Sequence, residues 1–391
     1  MPSEPGALRR ALGPLSEFLH DEAAGGVVLL VATVAALVWA NAAGDGYEAA
    51  WHHELRIGIG DAALALDLRH WVDDALMAVF FFVVGLEIKR ELVSGELQDR
   101  RAAALPVLAA LGGVALPAAI FAVTMRGTAE SAGWAVPAAT DIAFAVGVMA
   151  LLGDRVPSGL KLFLLTIAIV DDIAAIVLIA AFYSAGLALS WLVLAVAGLG
   201  LVVVLQRLGV ARMWPYAAVG IVVWVATHES GVHATIAGVA LGLLTPARPI
   251  GGRRVLEQLE QRLHPISAFA IVPLFALANA GVDFGGGVLG DAVHSRLAWA
   301  IGVSLVVGKA LGISAATFAG VRLGWGTLPA GVRPVQVAGV AALGGIGFTV
   351  SLFITQLAYE APLTITMAKV GIFAGSLVSG VLGAAILARG R

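Results

Sequence analysis

The sequence predicts an all-α polytopic membrane protein with twelve transmembrane helices. Three observations lead there. The 391 residues are 60% hydrophobic and 13% charged, with mean hydropathy +0.94, whereas soluble proteins run near 25% charged. Apolar segments recur at about 23–43, 70–92, 102–125, 133–153, 159–183, 187–206, 214–228, 232–246, 265–281, 297–320, 334–359 and 363–388, and most approach the roughly 20 residues a spanning helix needs. Lysine and arginine divide unevenly between the two sets of loops. Of the 24, 18 fall on the side of the termini and 4 (Arg56, Arg69, Arg126 and Arg296) on the other, while Lys309 and Lys369 lie within spans. The positive-inside rule reads this asymmetry as an even number of spans with both termini in the cytoplasm.

The chain reads as a single integral membrane domain. Its segment 1–22 carries Leu8, Leu12, Leu15 and Leu19 at helical spacing, which predicts a cytoplasmic amphipathic helix at the interface. Arg9, Arg10 and the apolar run Gly25–Ala40 imitate a secretory signal, but Glu17, Asp21 and Glu22 stand between them, so the run is read as span 1. Leu55–Leu68 alternates apolar with small or polar residues around Gly60-Asp61, the pattern of an extracytoplasmic β-hairpin. An isolated hairpin is marginal, so pairing with a second copy is expected. There is no cysteine, which excludes disulfides and thiolate metal sites. No cofactor is expected.

Span 5, Lys161–Tyr183, carries Asp171 and Asp172 side by side at its centre. Each would cost about 2.5–3.5 kcal/mol if left bare at the bilayer midplane, so the pair is read as lining a water-reached path and binding something positive. Span 4 contains Pro137, Thr140 and Asp141 at mid-depth, and span 11 clusters Gly344, Gly345 and Gly347. Interrupted hydrophobic segments in corresponding positions of two halves point to a transporter binding site. Broken helices leave free N–H and C=O groups, and their dipole ends call for compensating charge. Asp141 suits facing N-termini and a buried cation suits facing C-termini. That cation is available as Lys309, about thirteen residues into span 10 and too deep for easy snorkelling. Lys369, early in span 12, reads as snorkelling.

Adjacent helical residues point about 100° apart, so one of Asp171 and Asp172 is expected to coordinate the ion and the other to pair with Lys309. A hard monovalent cation takes oxygen ligands, and a buried carboxylate that titrates near neutrality must choose between it and a proton. If each occupied state can face either side, that choice makes an exchanger. A second cluster at the end of span 2 holds Glu87, Lys89, Arg90 and Glu91, with Glu87 and Glu91 on one helix face. With Glu260 and His264 ahead of span 9 it reads as a pH-responsive group near an ion funnel. Two other classes were weighed. Gly58–Asp61 spells the GxGD pattern of intramembrane aspartyl proteases, but it lies in the hairpin and Lys309 would quench a shared-proton dyad. A channel is disfavoured because there is no filter repeat or carboxylate ring. Another monovalent cation/proton exchanger on the same scaffold is the nearer alternative.

The stretches ATDIAFAVGVMALLG, FLLTIAIVDDIAAI, FFVVGLEIKREL, SGVHATIAGV, HPISAFAIVPLFALANAGV and GIGFTVSLFI resemble the NhaA-type sodium/proton antiporters, from about Gly25 to Leu387. The resemblance implies two inverted three-helix repeats, spans 3–5 and 10–12, with broken helices 4 and 11 crossing at mid-membrane. It implies Asp172 as the main Na+ ligand with Thr140 and Asp171 nearby, Asp171 paired with Lys309, and Asp141 compensating helix dipoles. Glu87–Glu91 with Glu260 looks like the family's pH-sensing region, and Leu55–Leu68 like its dimer contact. The activity implied is electrogenic exchange of Na+ or Li+ for more than one proton in a bacterial inner membrane. One departure is Gln261, which stands where relatives often carry His.

Overall fold

The computed structural model of the chain describes residues 5–59, 62–184, 186–249, 252, 254–329 and 331–390. Residues 1–4 of the expected amphipathic segment and the Gly60-Asp61 turn lie outside them. The described chain is helical but for one hairpin. It opens with α1 (Pro5–Ala42) and α2 (Gly44–Trp51), then β1 (Glu54–Ile59) and β2 (Ala62–Asp67). The strands pair antiparallel, from Glu54 with Asp67 to Ile59 with Ala62. Next come α3 (Leu68–His70), a π turn (Trp71–Leu76), α4 (Met77–Ser94) and α5 (Arg100–Thr124). A 3-10 segment (Ala129–Ala138) precedes α6 (Ile142–Leu152), followed by α7 (Ser158–Phe182), α8 (Leu189–Arg207), α9 (Trp214–Glu229) and α10 (Thr235–Leu244). Then α11 (Val255–Ile266), a π turn (Ser267–Ile271) and α12 (Val272–Asn279) run together, with α13 (Val288–His294) after them. The chain closes with α14 (Arg296–Val303), a π turn (Ser304–Lys309), α15 (Ala310–Arg322), α16 (Pro334–Leu343), α17 (Phe348–Ala358) and α18 (Pro362–Arg389).

Among the described residues, seven helical runs are long and apolar enough to cross a membrane, or nine if each of two bent pairs counts as one span. The bent pairs are Ala129–Ala138 with α6, at 40°, and α16 with α17, at 44°. They fall where Pro137 and the Gly344–Gly347 cluster lead the sequence reading to expect breaks. The distribution of polarity is that of a membrane protein. Val31, Val123, Leu151, Val193 and Val381 stand exposed, while Thr140, Asp141, Asp171, Lys309 and Thr349 are buried. An outer surface this apolar is stable only where lipid covers it.

Close helix contacts set the depth of the interior. On α5 and α15, Gly112 and Gly312 face each other so tightly that a Cβ on either would lie 2.4 and 2.2 Å from the other's carbonyl oxygen. Only glycine allows that approach. Gly312 follows Lys309 by three residues, so the contact seats the lysine against α5, where Gly113 lies beside its aliphatic chain.

Three features differ from the sequence reading. Span 9 begins near Val255, about ten residues earlier than expected, because Pro265 sits inside a continuous helix and the following π turn absorbs its missing N–H. The short helices α2 and α13 were not anticipated. Lys369 does not snorkel: it is 7% exposed, and its Nζ turns inward to 3.4 Å from the Gly281 carbonyl.

At the base of the hairpin Asp67 caps α3, accepting from His70 N at 2.8 Å, from His70 Nδ1 at 2.7 Å and from His52 Nδ1 at 3.1 Å. Partial burial pushes its carboxyl up, but the His70 amide and the two imidazoles outweigh burial and hold it below the ordinary carboxylate value. A depressed folded value stabilises above the unfolded one, and that contribution is lost as pH falls through the folded one. Protection of the His70 amide, taken as its exchange rate relative to the intrinsic rate at the same pH, should therefore hold at pH 5 and fall only below the ordinary aspartate range; equal protection at pH 5 and well below that range would exclude the cap. In the membrane core, Gly312→Val should cost about 1–3 kcal/mol through overpacking, read as a lower thermal midpoint. An unchanged midpoint would show that the α5–α15 contact is not tight.

Candidate functional site

The two bent pairs meet at their breaks, and the meeting point organises the interior. Asp141 precedes α6, where its Oδ1 accepts from Phe144 N at 3.1 Å. Its Oδ2 accepts from Thr349 N at 3.0 Å and Thr349 Oγ1 at 2.6 Å, at the start of α17. One carboxylate thus takes up free N–H groups at the N-termini of both half-helices, the charge sign those dipole ends require. The Asp141 amide in turn donates to Ile346 O at 2.6 Å, joining the two breaks directly.

The adjoining ends are met by Thr140 and Lys309. Lys309 closes a π turn, and its Nζ lies 2.5 Å from Asp171 Oδ2 and 3.0 Å from Thr140 Oγ1. Thr140 Oγ1 is 2.6 Å from Asp171 Oδ2 and 2.8 Å from the Gly344 carbonyl at the end of α16. A hydroxyl has one proton, so these two acceptors compete for it. Asp171 and Lys309 are both buried, at 1% and 0% exposure. Asp171 Oδ1 has no hydrogen-bond partner among the described residues.

Asp172 faces a different direction. It lines a cavity of about 530 Å³, together with Thr140, Asp141, Thr166 and Thr349 at the inner end. The cavity extends to the end of α4 farthest from the hairpin, where Glu87, Arg90, Glu91, Ser94 and His264 line it. The sequence assigned one partner to each aspartate, and the geometry separates them in that sense: Asp171 against the lysine, Asp172 toward the cavity. The donor set around Asp172 is oxygen from carboxylates and hydroxyls, which suits a hard cation or a proton.

The charged cluster is largely drawn together. Arg90 pairs with Glu260 through Nη1 and with Glu91 Oε1 at 3.2 Å through Nη2. His264 Nε2 lies 3.9 Å from Glu87 Oε1. Glu260 is buried behind Arg90, so α11 is tied to α4 by charge. Lys89 sits on α4, partly exposed and off the cavity wall. Sequence reasoning missed Thr349 and the carbonyls of Gly344 and Ile346. No local pattern announces them, because their role depends on the crossing. It also passed over Asp73 and Asp74 in the π turn before α4, although a second pair of adjacent carboxylates at the start of a span was visible.

Residues 16–387 match the model of a family described as Na+/H+ antiporter 1. The chain is similar to Na(+)/H(+) antiporter NhaA 1 of Erythrobacter litoralis, at 49% identity over 383 residues, covering 97% of this chain and 94% of that one. It is 45% identical to Na(+)/H(+) antiporter NhaA 3 of Frankia alni, over 95% of this chain and 87% of that one. It is 44% identical to Na(+)/H(+) antiporter NhaA of Shewanella loihica, over 94% and 95%.

Removing one partner from a buried ion pair leaves the other uncompensated and costs about 3–5 kcal/mol. Lys309→Ala should therefore lower the thermal midpoint markedly, and Lys309→Ala with Asp171→Ala should recover part of the loss. Additive effects of the two substitutions would mean that the pair is not coupled.

Proposed function

The chain belongs to the Na+/H+ antiporter 1 family, and from that premise we propose that it is an electrogenic antiporter extruding Na+, or Li+, in exchange for more than one proton. Antiporters of this family carry ions as substrates and need no cofactor. The observation that carries the finer reading is the charge balance at the crossing. Asp141 is offset by two helix N-termini and Asp171 by Lys309. Asp172 has neither and faces the cavity. A carboxylate held in that position needs one mobile positive charge, and Na+, Li+ and H+ compete to supply it. In this reading Asp172 is the main ligand, Thr140 and Asp171 complete the Na+ site, and Lys309 holds Asp171 until ion binding disturbs the pair. Asp172 and the Asp171–Lys309 pair are two titrating centres, so two protons can return for each cation and the cycle moves net charge.

The cavity is the entry from the cytoplasm, and the structure is that of the inward-facing state. Glu87, Arg90, Glu91 and His264 at its rim, with Glu260 behind Arg90 and Lys89 on the same helix end, make the rate depend on internal pH. Protonating the carboxylates loosens the α4–α11 charge contacts, which suits a role in pH homeostasis. Adding α4, α9 and α10 to the nine apolar spans gives twelve; α4 falls short on charge, while α9 and α10, with 16 and 10 residues, fall short on length. The fold is one domain with inverted repeats in spans 3–5 and 10–12, both termini and the 1–22 segment on the cytoplasmic side of a bacterial inner membrane. The hairpin at Leu55–Leu68 lies on the opposite side and joins two copies into a homodimer.

The test is Na+-driven collapse of ΔpH in proteoliposomes from pH 6.5 to 8.5. Wild type should respond to Na+ and Li+, more strongly as pH rises. Asp172→Asn should fall to the level of empty liposomes while keeping its thermal midpoint. Normal exchange by Asp172→Asn would remove that residue from the site. Exchange that is unaffected by an imposed membrane potential would remove electrogenicity.

A further inference from the structure

On the hairpin side of the crossing lie two layers of side chains of different chemistry. The inner layer is Phe353 of α17, fully buried, with Phe81 of α4 and Phe275 of α12 at ring distances of 5.4 and 6.2 Å. The outer layer, one turn farther along α17, is polar. Gln356 Nε2 donates to Asn279 Oδ1 at 2.8 Å, and Asn279 Nδ2 donates to Asp73 Oδ1 at 2.6 Å. Asn279 is wholly buried, while Gln356 and Asp73 are half-buried. Three elements are tied by this chain of side chains: the half-helix α17, the C-terminus of α12 and the π turn that leads into α4.

We propose that the Gln356–Asn279–Asp73 chain is a latch that holds the hairpin-side path closed while the cation site faces the cytoplasm, and that it parts when the site turns outward. This rests on the alternating-access reading given above. Three physical points support it. First, α17 is held at one end by Asp141 and at the other by Gln356, so it cannot swing about the crossing with both ends fixed. Second, each latch bond is worth modestly more than the bond to water that replaces it as the mouth opens, so the chain biases the closed state without locking it. The aromatic layer alone would expose apolar surface without such compensation. Third, the neighbouring Asp74 lies 3.5 Å from His228 and 3.7 Å from His233, which anchors the same π turn to α9 and to the start of α10. The turn is thus fixed on one side, and the parting is left to the Asn279 side.

The chain contains no cysteine, so one introduced thiol reports on the path. Ala276 is fully buried on α12, one turn deeper than Asn279 and on the same face. In right-side-out vesicles, Ala276→Cys should react slowly with a membrane-impermeant methanethiosulfonate reagent. Adding Gln356→Leu or Asp73→Leu should speed labelling about fivefold or more, as a lost latch bond shifts the population outward. Asp73→Asn keeps the acceptor oxygen and should stay near the parent rate. In the same leucine variants the apparent KM for internal Na+ should rise, since fewer molecules face inward. Equal labelling rates in the parent and both leucine variants, in protein that runs as a single monodisperse peak, would overturn the latch. Ser94→Cys at the rim of the cavity fixes sidedness and should react only from the cytoplasmic face. Should it react from outside, the orientation fails instead, and the latch is scored from the face at which Ser94→Cys is silent.

Discussion

A charge taken out of water must find its counter-charge inside the protein, and in a bilayer there is no solvent to correct an imbalance. The crossing of the two bent helix pairs is where that constraint is met. Its breaks expose backbone donors on one side, which Asp141 accepts, and carbonyls on the other, near which Thr140 and Lys309 gather. Much else follows from keeping those groups in place. The Gly112–Gly312 contact sets the depth of Lys309, the π turn ends on it, and α7 carries Asp171 to meet it. Asp172, the next residue on α7, is turned instead to the cavity.

Much of this was legible in the sequence because membranes punish local exceptions. Asp171-Asp172, Lys309, Pro137 and the Gly344–Gly347 cluster stand out against apolar surroundings, and each marks a true irregularity. The hairpin was legible through strict alternation, and its strands run over Glu54–Ile59 and Ala62–Asp67. What stayed hidden is what depends on tertiary geometry. Thr349 and Ile346 look like ordinary span residues until α17 is brought to Asp141. Lys369 was misread because depth along a span does not reveal whether a side chain turns outward to lipid or inward to the Gly281 carbonyl. The early start of α11 was hidden by its polar face, which reads as a loop until Glu260 is seen buried against Arg90.

The two ends of the path are built from different chemistry. The rim at the end of α4 farthest from the hairpin is a network of charged and titratable groups, Glu87, Arg90, Glu91 and His264 with Glu260 behind them, whose strength changes with protonation and salt. The hairpin side is packed with aromatic rings and a chain of two carboxamides that ends on the Asp73 carboxylate. A rim of many charges attracts ions from a distance, and the hairpin side offers fewer.

The brevity of α9 carries a consequence for the membrane itself. Its 16 residues reach about 24 Å at 1.5 Å per residue, while the hydrocarbon core is about 30 Å thick. Ile221 and Val222 on its surface are exposed, so in the twelve-span arrangement proposed above acyl chains would pack directly against it. Lipid beside α9 would then compress by several ångströms, or the helix ends would draw headgroups inward. This hydrophobic mismatch makes the surrounding bilayer a participant: membranes of shorter acyl chains match α9 with less deformation, and chain length becomes a lever on the packing of this edge of the protein.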